Sequence, residues 1–298
     1  MVYHTPALLI ESIENLNIKP DGIYVDLTFG AGGHSKEILK RLSTGKLIAF
    51  DQDSDAERNT IEDDRFVFVR SNFRFFVNFL KYYGHTKVDG IIADLGISSF
   101  HIDNPERGFS YRHDSELDMR MNKSSELTAK TVLNTYSYER LKQIFLNFGE
   151  VENAAKLSDI IVKYRLENEI KTTGQFREII SDCLPKYNDN KYLSKVFQAL
   201  RIEVNNEIDT LKQMLLKTAD VLNKGGRLVI ISYNSLEDRI VKNFFRKGKF
   251  EGEIDKDFYG NVNVPFGQVN KKPIIPDEKE TTENNRIRSA KLRIAEKL

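Results

Sequence analysis

Cysteine, net charge and long apolar runs are what this sequence has least of. Its 298 residues include a single cysteine, Cys183. One thiol excludes an internal disulfide framework and any metal site built on a cysteine cluster, and no metal is expected. Lysine and arginine together number 45 against 44 aspartates and glutamates, a formal net charge of +1. Such a balance gives no global attraction to polyanions, so nucleic-acid binding has to rest on local patches. No stretch of about 18 apolar residues occurs, so no transmembrane helix or membrane partner is expected. The segment Met1-Val2-Tyr3-His4-Thr5-Pro6 has neither a basic start nor an apolar run. No export signal is expected from it, and the expected location is the cytoplasm. Internal repeats and low-complexity tracts are also lacking.

What is present is enough apolar material for a sizeable core, 40% of the residues, arranged over the first hundred positions as alternating strand and helix patterns. Thr5-Pro6 predicts a helix N-cap followed by proline at the first helical position. Leu8, Leu9, Ile13 and Leu16 follow at helical spacing. A strand from Ile23 to Leu27 leads into Gly30-Ala31-Gly32-Gly33, and Ser35 is placed to cap a helix carrying Ile38, Leu39 and Leu42. Further strands are expected at Lys46 to Phe50, Phe66 to Val69 and Gly90 to Ala93. Strands separated by helices imply a parallel sheet covered on both faces.

The rhythm changes after Asn104-Pro105. From Glu126 to Asn206 the pattern is helical, with apolar residues at three- and four-residue spacing over Ser137 to Phe148 and Val151 to Leu166. Thr173 is placed to cap a segment from Gly174 to Leu184, which Pro185 follows. The α/β alternation returns with a helix from about Glu207 to Leu222 and a strand from Arg227 to Ser232. The expected architecture is a Rossmann-like α/β domain, 1–105 and 207–298, carrying an inserted all-helical domain, 106–206. The basic tail from Lys271 to Leu298 reads as a solvated face or as a contact for RNA.

Asp26-Leu27-Thr28-Phe29-Gly30-Ala31-Gly32 puts an acid at a strand end and a glycine turn before a helix. Glycines let the backbone approach a ligand closely, and ligands of open α/β sheets bind beyond the carboxyl ends of the strands. A dinucleotide fingerprint would want a further glycine where this chain has Ser35, which counts against a pyrophosphate cradle. Asp51 ends the next strand, at a distance suited to accepting both hydroxyls of a ribose. The two acids and the glycines together indicate a nucleoside site; a tight turn beside two surface acids is the plainer alternative. Phe73, after the third strand, is placed either to stack on an adenine or to pack in the core beside Phe75 and Phe76. Asp94 opens Asp94-Leu95-Gly96-Ile97-Ser98-Ser99. It can accept hydrogen bonds from an attacking amine or from a cofactor's amino group, or it can simply end a strand.

These stretches resemble the ribosomal small-subunit RNA cytosine-N4 methyltransferases, the RsmH/MraW family. The match runs through His4-Thr5-Pro6, Thr28 to Ser35, Val88 to Ser99, Glu106-Arg107-Gly108-Phe109-Ser110 and Leu117-Asp118-Met119-Arg120-Met121. It continues through Phe197 to Ile202, Ser235 to Lys242 and Arg288 to Arg293, in order and over nearly the whole chain. The resemblance implies a class I S-adenosylmethionine methyltransferase sheet and an enzyme acting on the exocyclic N4 of the cytosine at position 1402 of 16S rRNA, in the P-site region. It implies S-adenosylmethionine as the cofactor, held by Gly32, Gly33, His34, Asp51, Phe73 and Asp94, with Gly30 of the glycine turn as a further candidate contact and the helical insertion helping to hold RNA. The expected partner is 16S rRNA within the small ribosomal subunit, with a homodimer as an open option. Two departures stand out. The cofactor contact after the paired serines is usually glutamine in the family and is His101 here, and the usual Phe-His before Ser-Leu-Glu-Asp-Arg is Tyr233-Asn234. Asn234 can hydrogen-bond but cannot titrate, so Asp94 and Asn234 become the candidate catalytic residues. Lys191, Lys195 and Arg201, near the end of the insertion, are the candidate contacts to RNA phosphates.

Three other classes stay in view. They are a methyltransferase on another RNA or on a small molecule, a hydride-transferring dehydrogenase, and an RNA-binding assembly factor that keeps the fold without turnover. Ser35 and the want of a clear catalytic His-acid pair weigh against the dehydrogenase.

Overall fold

The computed structural model describes residues 6–98, 101, 103–187, 189–256, 258–259 and 262–298. The expected cap Thr5, with His4 and Ser99 of the matched motifs, lies outside them. The chain divides into two compact units, 1–96 with 208–298, and 97–207. The first division falls after Gly96 instead of after Pro105, and Asp94-Leu95-Gly96 stays with the sheet. None of the described helices is long and apolar enough to cross a membrane.

The first unit is built on seven strands: β1 (Ile23–Asp26), β2 (Lys46–Asp51), β3 (Phe66–Arg70), β4 (Val88–Asp94), β5 (Leu222–Ser232), β6 (Phe266–Gln268) and β7 (Lys291–Lys297). Their order is β3-β2-β1-β4-β5-β7-β6. The first five strands run parallel, and β7 runs antiparallel to both β5 and β6. This is the Rossmann-like sheet of class I methyltransferases. Leu47, Ile48, Ala49 and Phe50 of β2 are all buried, the continuous apolar run that a strand covered on both faces requires. Since the four strands nearest the site end on Asp26, Asp51, Asp94 and Ser232, the polar residues collect at one edge.

The tail differs from its sequence reading. Lys291–Lys297 is an inner strand of the sheet with Leu292 and Ile294 fully buried. Arg293, only 4% exposed, donates from Nε and Nη2 to Asp238 at 2.6 and 3.2 Å. A run of charges hid a strand whose one inward cation has its own carboxylate.

Two helix starts also differ. Helix α1 (Leu9–Asn15) begins three residues beyond Pro6, after Leu8 in a left-handed conformation, φ 50°. Helix α2 (Gly33–Arg41) is preceded by Gly32 at its N-cap, so Ser35 lies within the first turn and is not the cap. Helix α3 (Phe76–Tyr82) follows β3.

The second unit is helical: α4 (Ala129–Thr135), α5 (Tyr138–Gly149), α6 (Ala154–Tyr164), α7 (Thr173–Ile179) and α8 (Asp189–Asn205). Side chains of Thr128, Ser137 and Thr172 accept backbone N–H groups at the starts of α4, α5 and α7; the cap of α7 is thus Thr172, one residue before Thr173. Helix α8 buries Leu193, Val196, Phe197 and Leu200 against this unit's core, each side chain contributing about 1.5–3 kcal/mol. Two matched motifs interlock here. Arg107 Nη2 donates to the carbonyls of Arg120 and Met121 at 2.9 and 3.0 Å. Asn205 Oδ1 accepts the Met121 N–H, and its Nδ2 donates to the Met119 carbonyl. Gly108 has φ +67°, and a Cβ there would lie 2.2 Å from the Glu116 carbonyl oxygen, so no side chain fits between the two motifs. Helix α9 (Glu207–Val221) then leads into β5.

Candidate active site

Three acids stand at the carboxyl ends of β1, β2 and β4. Asp26 is buried. Its Oδ2 accepts the Ser35 hydroxyl at 2.7 Å and its Oδ1 the Thr28 N–H at 3.0 Å. Burial lifts its carboxyl to about 6, against the lowering effect of those two donors. Ser35, where a dinucleotide fold wants glycine, thus ties α2 to the end of β1.

Gly30 and Gly32 have φ of +52° and +77°, values that side chains disfavour. A Cβ on Gly32 would lie 2.9 Å from the Phe29 ring, whereas one on Gly30 would meet nothing nearer than 4.0 Å. The Gly30 N–H donates to Asp51 Oδ2 at 2.8 Å, and Asn59 Nδ2 donates to its carbonyl at 2.9 Å. Asp51 Oδ1 accepts the Asp53 N–H at 2.9 Å. A carboxylate offers about four acceptor positions, so holding the turn and accepting ribose hydroxyls are compatible. Gly33 has a different reason to be glycine: its Cβ would lie 2.1 Å from Pro6 Cγ, so Pro6 of the matched N-terminal motif rests directly on it.

His34 is buried, and burial pushes its imidazole down to about 4 although the Ala7 backbone opposes this. It is therefore neutral near pH 7, and its Nε2 has no hydrogen-bond partner among the described residues. Phe73 begins a short 3-10 turn, Phe73–Phe75, and is half-buried. Its neighbours separate: Phe76 is fully buried, while Phe75 is exposed with the Arg74 guanidinium 5.0 Å from its ring centre.

Asp94 donates its N–H to Thr28 Oγ1 at 2.6 Å, and its Oδ1 accepts the Tyr233 hydroxyl at 2.9 Å. Burial raises its carboxyl to about 7; Asp26 and Glu237 raise it further and Tyr233 lowers it. Sequence reasoning names Tyr233 only as a departure from the family pattern and gives it no role. Its signal was in the strand order: Asp94 pairs with Ile231 of β5, which puts position 233 beside Asp94 just past the sheet. Asn234 caps helix α10 (Ser235–Lys247), its Oδ1 accepting the Glu237 N–H at 2.9 Å. Buried Glu237 in turn accepts the Tyr233 N–H at 3.1 Å. The structure gives Asn234 a capping task beside the site.

The remaining candidates belong to the second unit. His101 is buried there, with Nδ1 3.1 Å from Ser98 Oγ and its ring 4.9 Å from that of Phe109. Lys191, Lys195 and Arg201 share α8 but not one environment. Lys191 is exposed, and Lys195 donates to the Glu150 carbonyl at 3.0 Å. Arg201 forms a two-bond clamp on Glu207 at 2.9 and 3.0 Å. Among the described residues no cluster of His, Cys, Asp and Glu could hold a metal ion.

The donor set suits S-adenosylmethionine. Asp26 and Glu237 lie close enough to Asp94 to raise its proton affinity, Asp51 does the same to Asp26, and no cation figures among the groups acting on Asp94. A ligand carrying a sulfonium and an ammonium supplies the missing positive charge. Asp51 beside the open Gly30 suits a ribose, half-buried Phe73 adds aromatic surface, and the buried His34 Nε2 is a polar atom left without a partner among the described residues.

Comparison with known proteins agrees. The MraW methylase family matches residues 1–298. A ribosomal RNA small subunit methyltransferase H of Bacteroides fragilis is 56% identical over 296 residues, 99% of this chain and 97% of that one. One of Christiangramia forsetii is 54% identical over 299 residues, covering 100% and 99%. A solved rRNA methylase from Streptococcus thermophilus has a TM-score of 0.40 at 14% identity, covering 97% of this chain and 93% of that one, a likeness too distant to decide anything about the site. With a match over its full length and relatives identical at more than half of their positions, the chain belongs to the MraW methylase family.

Proposed function

We propose that the protein methylates the exocyclic N4 of a cytosine in 16S rRNA, at position 1402 of the small ribosomal subunit, using S-adenosylmethionine in the cytoplasm. The observation that carries this reading is the half-buried carboxylate of Asp94 at the end of β4, held through Oδ1 by Tyr233. The bound cofactor supplies a methyl group on a positively charged sulfur. Asp51 and the Gly30 turn would hold its ribose, Phe73 would offer an aromatic face to its base, and the acids around Asp94 would balance its charge.

The N4 amine is conjugated with the pyrimidine ring and is a poor nucleophile until it pyramidalises. Asp94 accepts a hydrogen bond from it and favours that geometry; a fixed acceptor and an in-line approach supply much of what the reaction needs. The cationic groups of S-adenosylmethionine, once bound, would bring the Asp94 carboxyl down from about 7, so that it would act as an ionised acceptor. Methylation makes the amine strongly acidic, and the proton leaves to Asp94 or to water. No histidine base is called for, in keeping with Asn234 at the helix cap. The helical unit binds RNA, with exposed Lys191 on α8 as a phosphate contact.

Mass spectrometry of rRNA nucleosides from cells with and without the gene tests the reading. N4-methylcytidine present only with the gene is the expected result; an unchanged nucleoside profile would refute it.

A further inference from the structure

The Tyr233 side chain is fixed from several directions. Its backbone N–H is held by Glu237 at 3.1 Å, its ring packs partly buried against the core that includes Ile92 and Ile231, and its hydroxyl reaches Asp94 Oδ1 at 2.9 Å. A phenylalanine would fill the same space, so packing alone gives no reason for the hydroxyl. Its use lies in the bond it makes. Among the described residues Asp94 Oδ2 has no hydrogen-bond partner, while Oδ1 is committed to Tyr233 and the Asp94 N–H to Thr28.

We infer that Tyr233 is a positioning residue for methyl transfer: its hydroxyl holds Asp94 Oδ1, keeps the carboxylate in its acceptor form and leaves Oδ2 to face the substrate amine. The inference rests on the proposed reaction. Three ionisable groups act on Asp94: Asp26 from the end of β1, Glu237 from α10 and Tyr233 from the turn between β5 and α10. The two acids favour the protonated carboxyl, and Tyr233 alone among them opposes it by donating to Oδ1. Losing that donor must move the titration of Asp94 to higher pH.

The test compares wild type with Tyr233→Phe in two measurements. The first is NMR titration of aspartate carboxyl carbons in the cofactor-free protein, with Asp94→Asn assigning the resonance. In Tyr233→Phe the Asp94 midpoint is expected to rise by about one pH unit, the size of one hydrogen bond to a charged acceptor. The second is the single-turnover rate on small subunits as a function of pH. Its acid limb should move up equally, making the variant about tenfold slower below both midpoints, with the two proteins converging on the alkaline side. Superimposable titrations would overturn the inference. So would a rate lowered equally at every pH with an unmoved midpoint, which is what lost packing alone would give. If the titration moves as expected and neither protein methylates small subunits, the link between Tyr233 and Asp94 stands and the assigned substrate falls.

Discussion

The carboxylate of Asp51, at the end of β2, accepts the backbone N–H of Gly30 at 2.8 Å. The acid suited to a ribose diol therefore also shapes the glycine turn proposed to carry the nucleoside. Removing it takes away a ligand contact and a restraint together. Asp51→Ala is expected to weaken S-adenosylmethionine binding by about 1–3 kcal/mol, the scale of a lost charged hydrogen-bonding partner, and to lower the melting temperature of the cofactor-free protein. Calorimetry and thermal melts check the two halves separately. Unchanged affinity in a folded variant would remove Asp51 from the cofactor site.

Asp94 makes a prediction about pH and stability. Its carboxyl sits near 7 in the folded protein, raised chiefly by burial from 3.8. Between these values the folded chain keeps a proton that the unfolded chain has lost, so stability contributed at Asp94 falls as pH rises from about 4 to about 7. Asp26, raised to about 6, acts in the same direction over a narrower range. His34 runs the other way: lowered to about 4 from 6.5 by burial, its contribution is complete above 6.5 and is lost as pH falls toward 4. Asp94→Asn isolates the first effect, because asparagine mimics the protonated acid and still accepts from Tyr233. The variant should gain melting temperature over wild type at about pH 8 relative to about pH 5, and the gain should shrink when cofactor is added. A difference that does not grow with pH would place the Asp94 carboxyl in the ordinary range.

Much of this was legible in the sequence, and what was not has physical reasons. The strand-end acids and glycines could be read because an acid after an apolar run and a glycine before a helix are local patterns. Ser35 was misread because a serine near a helix start is a good cap by its local chemistry; its hydroxyl instead goes to Asp26, nine residues back. Strand β7 was hidden because Lys291, Arg293 and Lys297 masked the alternation of Leu292 and Ile294, and only the fold supplies Asp238 for Arg293. Tyr233 acquires meaning from Asp94, which is 139 positions away along the chain and adjacent only once β4 and β5 pair.

Arg201 and Lys191 lie on one helix and should part under mutation. The Arg201 and Glu207 side chains are only 15% and 12% exposed and joined by two bonds. Breaking such a pair leaves a charge uncompensated, at about 3 kcal/mol. Arg201→Glu is expected to melt early, whatever it does to RNA. Lys191→Glu, on an exposed side chain, should leave the melting temperature and cofactor affinity unchanged and weaken binding to small subunits, with a shallower dependence on salt. Filter binding at several salt concentrations, beside thermal melts, separates the two. A Lys191→Glu protein with unaltered affinity would take α8 out of the RNA contact.

The product follows from where the one thiol lies. Carbon 5 of cytosine is not nucleophilic enough to be methylated unaided; that chemistry needs a thiolate to add at carbon 6 first. Cys183 is poorly suited to supply one. It ends a short 3-10 turn in the helical unit, 4% exposed, packed in that unit's core. Burial raises its thiol above the usual range, and nearby Lys156 does not offset this, so thiolate is scarce at neutral pH. The N4 amine needs no covalent adduct, only an acceptor and an aligned methyl donor, and Asp94 is the acceptor proposed. Cys183→Ser is therefore expected to retain methylation, with a modest loss of stability from a hydroxyl placed in an apolar core. The product nucleoside should carry its methyl group on nitrogen. Mass spectrometry against N4-methylcytidine and 5-methylcytidine standards decides the matter, and a 5-methyl product that disappears in the serine variant would show that Cys183, buried as it is, reaches the base.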